Sequence, residues 1–215
     1  MRPVARIRSV LRHPRVRALA TIDSGFPDLL LRIAGAMAQV PESNEVNTRL
    51  RIKGPSGEVH VLLLSVELGA CDIAVKVQYE SGDLQFSQGT TVADWRADFE
   101  GPLPGLDEGQ LDIGQGRLDI LVKELRGIGL GSYLMSLVIC WVHARPNVPV
   151  STIFLSADDA TSAASRLHRN RFWEKLGFRF HYHDGGRWGE SKAMLSHDLV
   201  DPGMKLAEGW EIEEL

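Results

Sequence analysis

The sequence has little cysteine, no long apolar run and, over its first 22 residues, no acidic side chain. Cys71 and Cys140 are its two cysteines, and they lie far apart without the spacing of metal ligands. This usage argues against a disulfide framework and is typical of a reducing compartment. Since no segment approaches the roughly 18 apolar residues of a membrane span, we predict a cytoplasmic protein that has no membrane partner.

The absence of acids at the start divides the chain by charge. Six arginines occur up to Arg17, so the net charge of −4 leaves −10 on residues 23–215. We therefore predict a basic arm over residues 1–22, a single domain over 23–200 and a solvated acidic tail over 201–215. Nucleic-acid binding by the arm stays open but is disfavoured, because the rest of the chain is acidic and its sequence offers no interleaved aromatic platform.

The apolar pattern changes period along the domain. A helical period begins after Asp23 and Ser24, and from Asn47 to Tyr79 the period becomes two, which predicts an antiparallel meander. Residues 89–116 are rich in Gly, Pro and Asp, and we predict an inserted loop there, anchored by Trp95 and Phe99.

The stretch from Leu118 to Phe178 alternates strand and helix patterns. It predicts a strand at Leu118–Leu125, a glycine loop at Arg126–Gly131, a helix at Gly129–Ala144, a strand at Val150–Ser156, and a helix from Asp158 or Asp159 to Lys175 that Gly177 ends. A strand over 178–183 and a last strand over 192–199 follow.

The glycine loop reads R-x-x-G-x-G, with Arg126, Gly129 and Gly131 at the fixed positions. Glycines let backbone N–H groups approach a ligand closely, and the helix behind them adds its unpaired N–H groups and the positive end of its dipole. This spacing fits neither the dinucleotide-binding nor the Walker fingerprint. It predicts a diphosphate site, and the alternative is a tight turn without a ligand.

A second motif follows the loop, N-R-F-W-E-K-L-G-F over residues 170–178. With both motifs in this order, the chain resembles the GCN5-related N-acetyltransferases (GNAT) over residues 113–200. The resemblance implies an α/β fold in which a mixed, mostly antiparallel central sheet has a splayed parallel strand pair and flanking helices. It also implies acetyl-CoA as cosubstrate and an amine as acceptor, with direct attack of the amine on the acetyl group.

The resemblance assigns roles to individual residues. It implies that the backbone of Leu121, Val122 and Lys123 contacts pantetheine. The pyrophosphate would be held by Arg126, Gly127, Ile128, Gly129, Leu130, Gly131 and Ser132. Trp173 departs from the family, because a tyrosine often stands there as the acid that protonates the leaving thiolate, and indole cannot do so.

The acid and the base therefore stay open. Glu124 is our candidate base and Tyr182 our candidate acid, and the alternatives are Tyr133, Ser156, Glu190, His168, His181 and His183. We predict no metal site, because His181 and His183 lack a nearby third ligand. The function expected is transfer of acetyl to a primary amine, and the alternative is a catalytically poor acyl-CoA-binding sensor or interaction module. A homodimer stays open as well.

Overall fold

The computed structural model describes residues 29, 32–33, 35, 44–101, 109–114 and 118–215. The predicted basic arm lies outside the described residues. Two α-helices are described with their full bounds, α1 at Leu130–His143 and α2 at Ala163–Lys175. The strands are β1 Asn44–Lys53, β2 Val59–Leu68, β3 Asp72–Gly82, β4 Thr91–Glu100, β5 Gln110–Asp112, β6 Phe154–Leu155, β7 Phe180–His183, β8 Trp188–Ser191 and β9 Glu211–Glu214.

Six strands form a curled antiparallel sheet in the order β5-β4-β3-β2-β1-β9. The predicted meander is confirmed as β1 to β3. On β2, every second residue from His60 to Leu68 is buried, whereas Val59, Val61 and Leu63 are half-buried. This strand is apolar on both faces, so its period alone could not say which face is buried.

The loop expected at residues 89–116 is also wrong over much of its length. Thr91–Glu100 is strand β4, and its register with β3 places Val75 opposite Trp95. Trp95 is fully buried and Phe99 is half-buried, so the two predicted anchors do pack into the core. Aspartates between the apolar residues of β4 concealed the strand pattern, because they occupy its exposed or half-exposed positions.

The acidic tail is part of the fold, which corrects the expectation of a solvated segment. β9 extends the sheet by pairing with β1, and Glu214 accepts hydrogen bonds of 2.8 Å from Arg32 and 2.9 Å from Thr48. A strand added at an edge pairs backbone groups that would otherwise stay open.

The first helix is the centre of the core. The predicted span Gly129–Ala144 is confirmed, since Gly129 is its N-cap and Ala144 its C-cap. Almost every side chain from Leu130 to Val142 is buried, which means that the helix is covered on all sides rather than along one stripe. Neither α1 nor α2 is long and apolar enough to cross a membrane.

A second, smaller sheet has the order β6-β8-β7 and is antiparallel. The strand expected at Val150–Ser156 shortens to Phe154–Leu155, and the one expected at 192–199 is replaced by Trp188–Ser191. The second helix begins only after Ser162, whose hydroxyl accepts a 3.0 Å bond from the Ser165 N–H. This cap moves the start beyond the predicted Asp158 or Asp159.

The fold class expected from the acetyltransferase resemblance is wrong. That fold needs a splayed parallel strand pair and flanking helices, whereas this chain has two mostly antiparallel sheets and two described helices. Leu118–Leu125 is not a strand, since Lys123–Leu125 forms a short 3₁₀ helix. Parallel pairing between described residues is limited to one bridge, Leu111 to Val150. β5 ends there because Asp112 turns the chain by accepting the Gly114 N–H at 2.7 Å.

Candidate functional site

The glycine loop enters α1 through two left-handed residues. Gly127 has a φ of 77° and Gly129, the N-cap residue, a φ of 94°. No side chain caps the helix and its first turn has no acid. Among the hydrogen bonds of the described residues, none is donated by the N–H groups from Gly127 to Ser132. Uncapped N–H groups at the positive end of a helix dipole favour an anion.

Two segments hold this loop in place. The Arg126 Nε donates a 2.6 Å bond to the Ile120 carbonyl, and the Ala207 N–H donates a 2.7 Å bond to the Ile128 carbonyl. A methyl group built on Gly129 would lie 2.9 Å from Cα of Leu206. Packing within the chain therefore requires a glycine at position 129, in addition to any close approach of a ligand.

Gly131 is where the two sequence motifs meet. A methyl group built there would lie 3.5 Å from Cη2 of Trp95 and 3.9 Å from Cε2 of Phe172. The Trp95 and Phe172 rings pack edge to face, with centroids 6.2 Å apart. The loop of the first motif and the helix of the second thus share one aromatic wall. Trp95 is its buried part, and the half-buried Phe172 is the part that a ligand at the loop can reach.

The backbone groups predicted to contact pantetheine already form hydrogen bonds within the chain. The Leu121 N–H donates a 2.7 Å bond to the Val92 carbonyl, while the carbonyls of Val122 and Lys123 accept bonds of 3.1 Å within the 3₁₀ turn. An added strand would need these groups free. This segment cannot receive a ligand in the strand-like manner that the resemblance implied.

Glu124, the candidate base, lies in that 3₁₀ turn directly before the glycine loop. It is exposed, and none of the side-chain hydrogen bonds of the described region involves it. The carboxylate is therefore accessible to an incoming amine.

Tyr182, the candidate acid, lies on β7 and its hydroxyl donates a 2.7 Å hydrogen bond to Glu174. Burial raises the pKa of Tyr182, and the bond to Glu174 and the charge of Glu174 raise it further. A phenol with a raised pKa gives up its proton less readily, so Tyr182 is a weak acid in this arrangement.

Trp173 occupies the usual tyrosine position and is a core residue. It is 9% exposed and packs between Phe172 and Phe178, with ring centroids 5.5 Å and 5.3 Å away. The ring contacts continue from Phe178 through Phe180 to Tyr182. Several rings thus separate Tyr182 from the loop, and its hydroxyl bonds to Glu174 rather than to Glu124.

The alternatives fall into two groups. Tyr133 is buried in α1, and the Ser156 hydroxyl accepts a hydrogen bond of 3.1 Å from the Asp158 N–H. The two strand histidines, His181 and His183, are exposed, as are Glu190 and His168. Over the described ranges, no group of three His, Cys, Asp or Glu side chains could hold a metal ion.

Sequence reasoning missed the contribution of the tail to this site. Residues 205–207 border the glycine loop, and the Lys205 carbonyl lies 3.0 Å from the methyl position of Gly129. The Lys205 side chain is exposed, as are those of Lys123 and Arg126 at the loop. The sequence carries no signal for this contact, because it joins residues that are remote along the chain.

In the comparisons with known proteins, the chain matches no family model, no curated protein and no solved structure. The resemblance therefore rests on the residues of the two motifs alone.

Proposed function

We propose that the protein binds acetyl-CoA at the loop Arg126–Ser132 and transfers the acetyl group to a primary amine. One observation carries the proposal: the loop and the second motif, which are far apart in the sequence, meet at Gly131 and Phe172. The proposal concerns the site and its chemistry and takes nothing from the fold that the resemblance implied.

The loop supplies what a diphosphate needs. Its N–H groups from Gly127 to Ser132 can donate to phosphate oxygens, and the dipole of α1 adds favourable charge. Arg126 begins the loop, Lys123 precedes it and the Lys205 carbonyl borders it, and all three side chains are exposed. The half-buried ring of Phe172, which packs on the buried Trp95, then suits the less polar pantetheine arm.

In the transfer itself, the neutral amine nitrogen attacks the acetyl carbonyl, a C–N bond forms and the C–S bond breaks. Glu124 can accept the proton that the amine loses, because its carboxylate is exposed beside the loop. The departing thiolate takes a proton from water in this scheme, since Trp173 has none to give and Tyr182 is bonded to Glu174. We place the reaction in the cytoplasm, where the free thiols Cys71 and Cys140 would stay reduced.

Ser132→Asp tests the site without damaging the helix. An acid in the first turn of α1 should stabilise the protein by about 0.3–1 kcal/mol through the helix dipole. The same carboxylate should repel the diphosphate and weaken CoA binding at least ten-fold in calorimetry. Ser132→Asn is the matched control, because it has nearly the same shape and no charge.

A higher melting temperature with unchanged CoA affinity would contradict the assignment of the loop. If CoA binds but no acetyl group is transferred to any of a panel of amines, the protein is the acyl-CoA-binding module that we keep as the alternative. That alternative is favoured by Trp173, which is buried and has no proton to give, and by Tyr182, whose hydroxyl is bonded to Glu174.

A further inference from the structure

The small sheet has one covered face and one open face. Tyr182 points to the covered face, where it bonds to Glu174 of α2. Side chains alternate along a strand, and directly opposed residues share a face. The registers therefore gather one set on the open face, which we call the outer face and define by Phe154, Arg179, His181, His183, Trp188, Glu190 and Lys192.

Two flat aromatic surfaces stand on the outer face. Phe154 is 73% exposed, an unusually high value for a phenylalanine. Trp188 is 47% exposed and its ring stacks on His183, with centroids 4.0 Å apart and planes 17° apart. Phe154 is opposite Glu190, two residues from Trp188, so the aromatic positions are diagonal neighbours about 7–8 Å apart.

The interleaved aromatic platform that the sequence does not display is therefore assembled by the fold. Each of its aromatic rings comes from a different strand of the small sheet. Exposed aromatic rings on a sheet are the surfaces on which unpaired bases stack, and every base has a face that can do so.

Charge on the outer face fits a nucleotide backbone. Arg179 and Lys192 are opposed at one end, where the Lys192 N–H donates a 2.7 Å bond to the Arg179 carbonyl. Both are exposed, and neither forms an ion pair with another described residue. Each is thus available to a phosphate.

Glu190 favours RNA over DNA as the nucleic acid on this face. It lies in the middle of the outer face, opposite both Phe154 and His181, and its side chain has no hydrogen bond to another described residue. A carboxylate repels phosphate but accepts a bond from a ribose 2′-hydroxyl, the group that distinguishes RNA from DNA.

The size of the outer face decides between an RNA and a second copy of the chain. Three strands about 4.8 Å apart and four residues about 3.3 Å apart give a surface of roughly 10 by 13 Å. A specific protein interface buries about 800 Å² on each partner, several times this area. The surface does match the two or three bases that sheet-bound RNA stacks on comparable platforms.

We propose that the outer face binds a single-stranded RNA segment, with bases stacked on Phe154 and on the Trp188–His183 pair. Arg179 and Lys192 contact phosphate, and Glu190 accepts a bond from a ribose hydroxyl. This binding does not depend on the proposed acetyl transfer, since the outer face and the glycine loop share no residue.

The test is fluorescence anisotropy of labelled octamers, U8 and A8 RNA and their DNA counterparts, with the full chain. Phe154→Ala and Trp188→Ala should each weaken RNA binding at least about five-fold, because stacking contributes strongly per base. Phe86→Ala is the matched control, since Phe86 is also an exposed aromatic, at 38%. Thermal melts of every variant verify that the fold is kept.

Salt dependence separates the outer face from the basic arm. Arg179→Ala and Lys192→Ala should each reduce the slope of log affinity against log salt by about 0.7, the value for one contact to a single strand. Lys76→Ala, an exposed lysine on β3, should leave the slope unchanged. Glu190→Gln should bring the RNA and DNA affinities closer together.

The proposal is overturned if the two aromatic variants bind RNA as tightly as the parent chain. It is equally overturned if replacing the six arginines up to Arg17 by glutamine abolishes binding while Phe154→Ala has no effect. DNA octamers that bind as tightly as RNA would remove the assigned role of Glu190 and with it the choice of RNA.

Discussion

The main-chain N–H of Ala207 donates a 2.7 Å hydrogen bond to the carbonyl of Ile128. This bond joins the acidic tail to the middle of the glycine loop. It turns the carbonyl toward the tail and leaves the neighbouring N–H groups of the loop for another partner. The shape of the proposed binding site therefore depends on residues that sequence analysis assigned to a solvated segment.

Ala207→Pro should separate the tail from the loop. Proline removes the donor, and the loss of this hydrogen bond should lower the free energy of unfolding by about 1 kcal/mol in chemical denaturation. CoA affinity should fall in parallel. Glu208→Pro is the control, because the Trp210 N–H bonds to the Ala207 carbonyl and Gly209 has a φ of 82°, a turn that accepts proline at position 208. Equal effects of both variants would show that the Ala207 bond is not what matters.

Gly177→Ala should destabilise the protein by about 1 kcal/mol or more. Gly177 has the left-handed backbone typical of a glycine that ends a helix, with a φ of 93°, and a methyl group there would lie 2.9 Å from the Asp198 carbonyl oxygen. Gly131→Ala should instead be neutral or stabilising, because that residue is helical and its methyl group would make ordinary contacts. Thermal and denaturant unfolding of the two variants gives the comparison, and a stable Gly177→Ala variant would be inconsistent with it.

Asp98→Asn should stabilise the protein at neutral pH. Asp98 is directly opposite both Asp72 and Asp112, and burial, then these two charges, raise its pKa above the ordinary 3.8. A carboxyl group whose pKa is raised by folding destabilises the folded state when it is ionised. This cost is absent at pH well below 3.8 and grows as pH rises through the folded-state pKa. We expect a gain of about 0.2–1 kcal/mol at pH 7 that vanishes in acid.

The control for this pH dependence is Asp94→Asn on the same strand. Asp94 is opposite Lys76, so its removal deletes an attractive pair and should slightly lower stability. Denaturation between pH 3 and pH 7 compares the two variants. If both variants lose stability at pH 7, then Asp72, Asp98 and Asp112 do not repel one another appreciably in the folded protein.

Trp173 variants separate catalysis from packing. Trp173→Phe should keep the core and leave acetyl transfer intact, because neither ring donates a proton to sulfur. Trp173→Ala should cost about 3–5 kcal/mol of stability through the cavity it leaves. Trp173→Tyr would supply a hydroxyl, and since general acid catalysis contributes about 10²-fold or more, it should raise a slow rate of CoA release. No turnover in any folded variant that still binds CoA would favour the binding module.

Local patterns predicted local structure well. The predicted helix Gly129–Ala144 matches α1 almost to the residue, and Gly177 marked the end of α2. Both depend on the backbone preferences of neighbouring residues, which the sequence states directly. The meander was predicted for the same reason.

Pairings between remote segments could not be predicted. Nothing in Leu118–Leu125 reveals that Leu121 would bond to Val92 and that the segment would turn rather than extend. The strand β4 was concealed by its aspartates, and β9 by its high charge. For the candidate site, the loop and its helix followed from glycine spacing, whereas the wall of Trp95 and Phe172 and the contact with Leu206 depend on tertiary packing.

The pairing of β1 with β9 sets an order of events during synthesis. Arg51 and Glu213, which bond across these strands at 2.9 Å, are 162 residues apart. At about 5–20 residues per second, the ribosome leaves the edge of β1 unpaired for roughly 8 to 30 seconds. The same late segment carries Ala207. The nascent chain therefore forms the pairing of β1 with β9 and the hydrogen bond between Ala207 and Ile128 at about the same time. A chaperone that binds exposed strands would therefore find its target on β1 during this interval, and would lose it when the tail arrives.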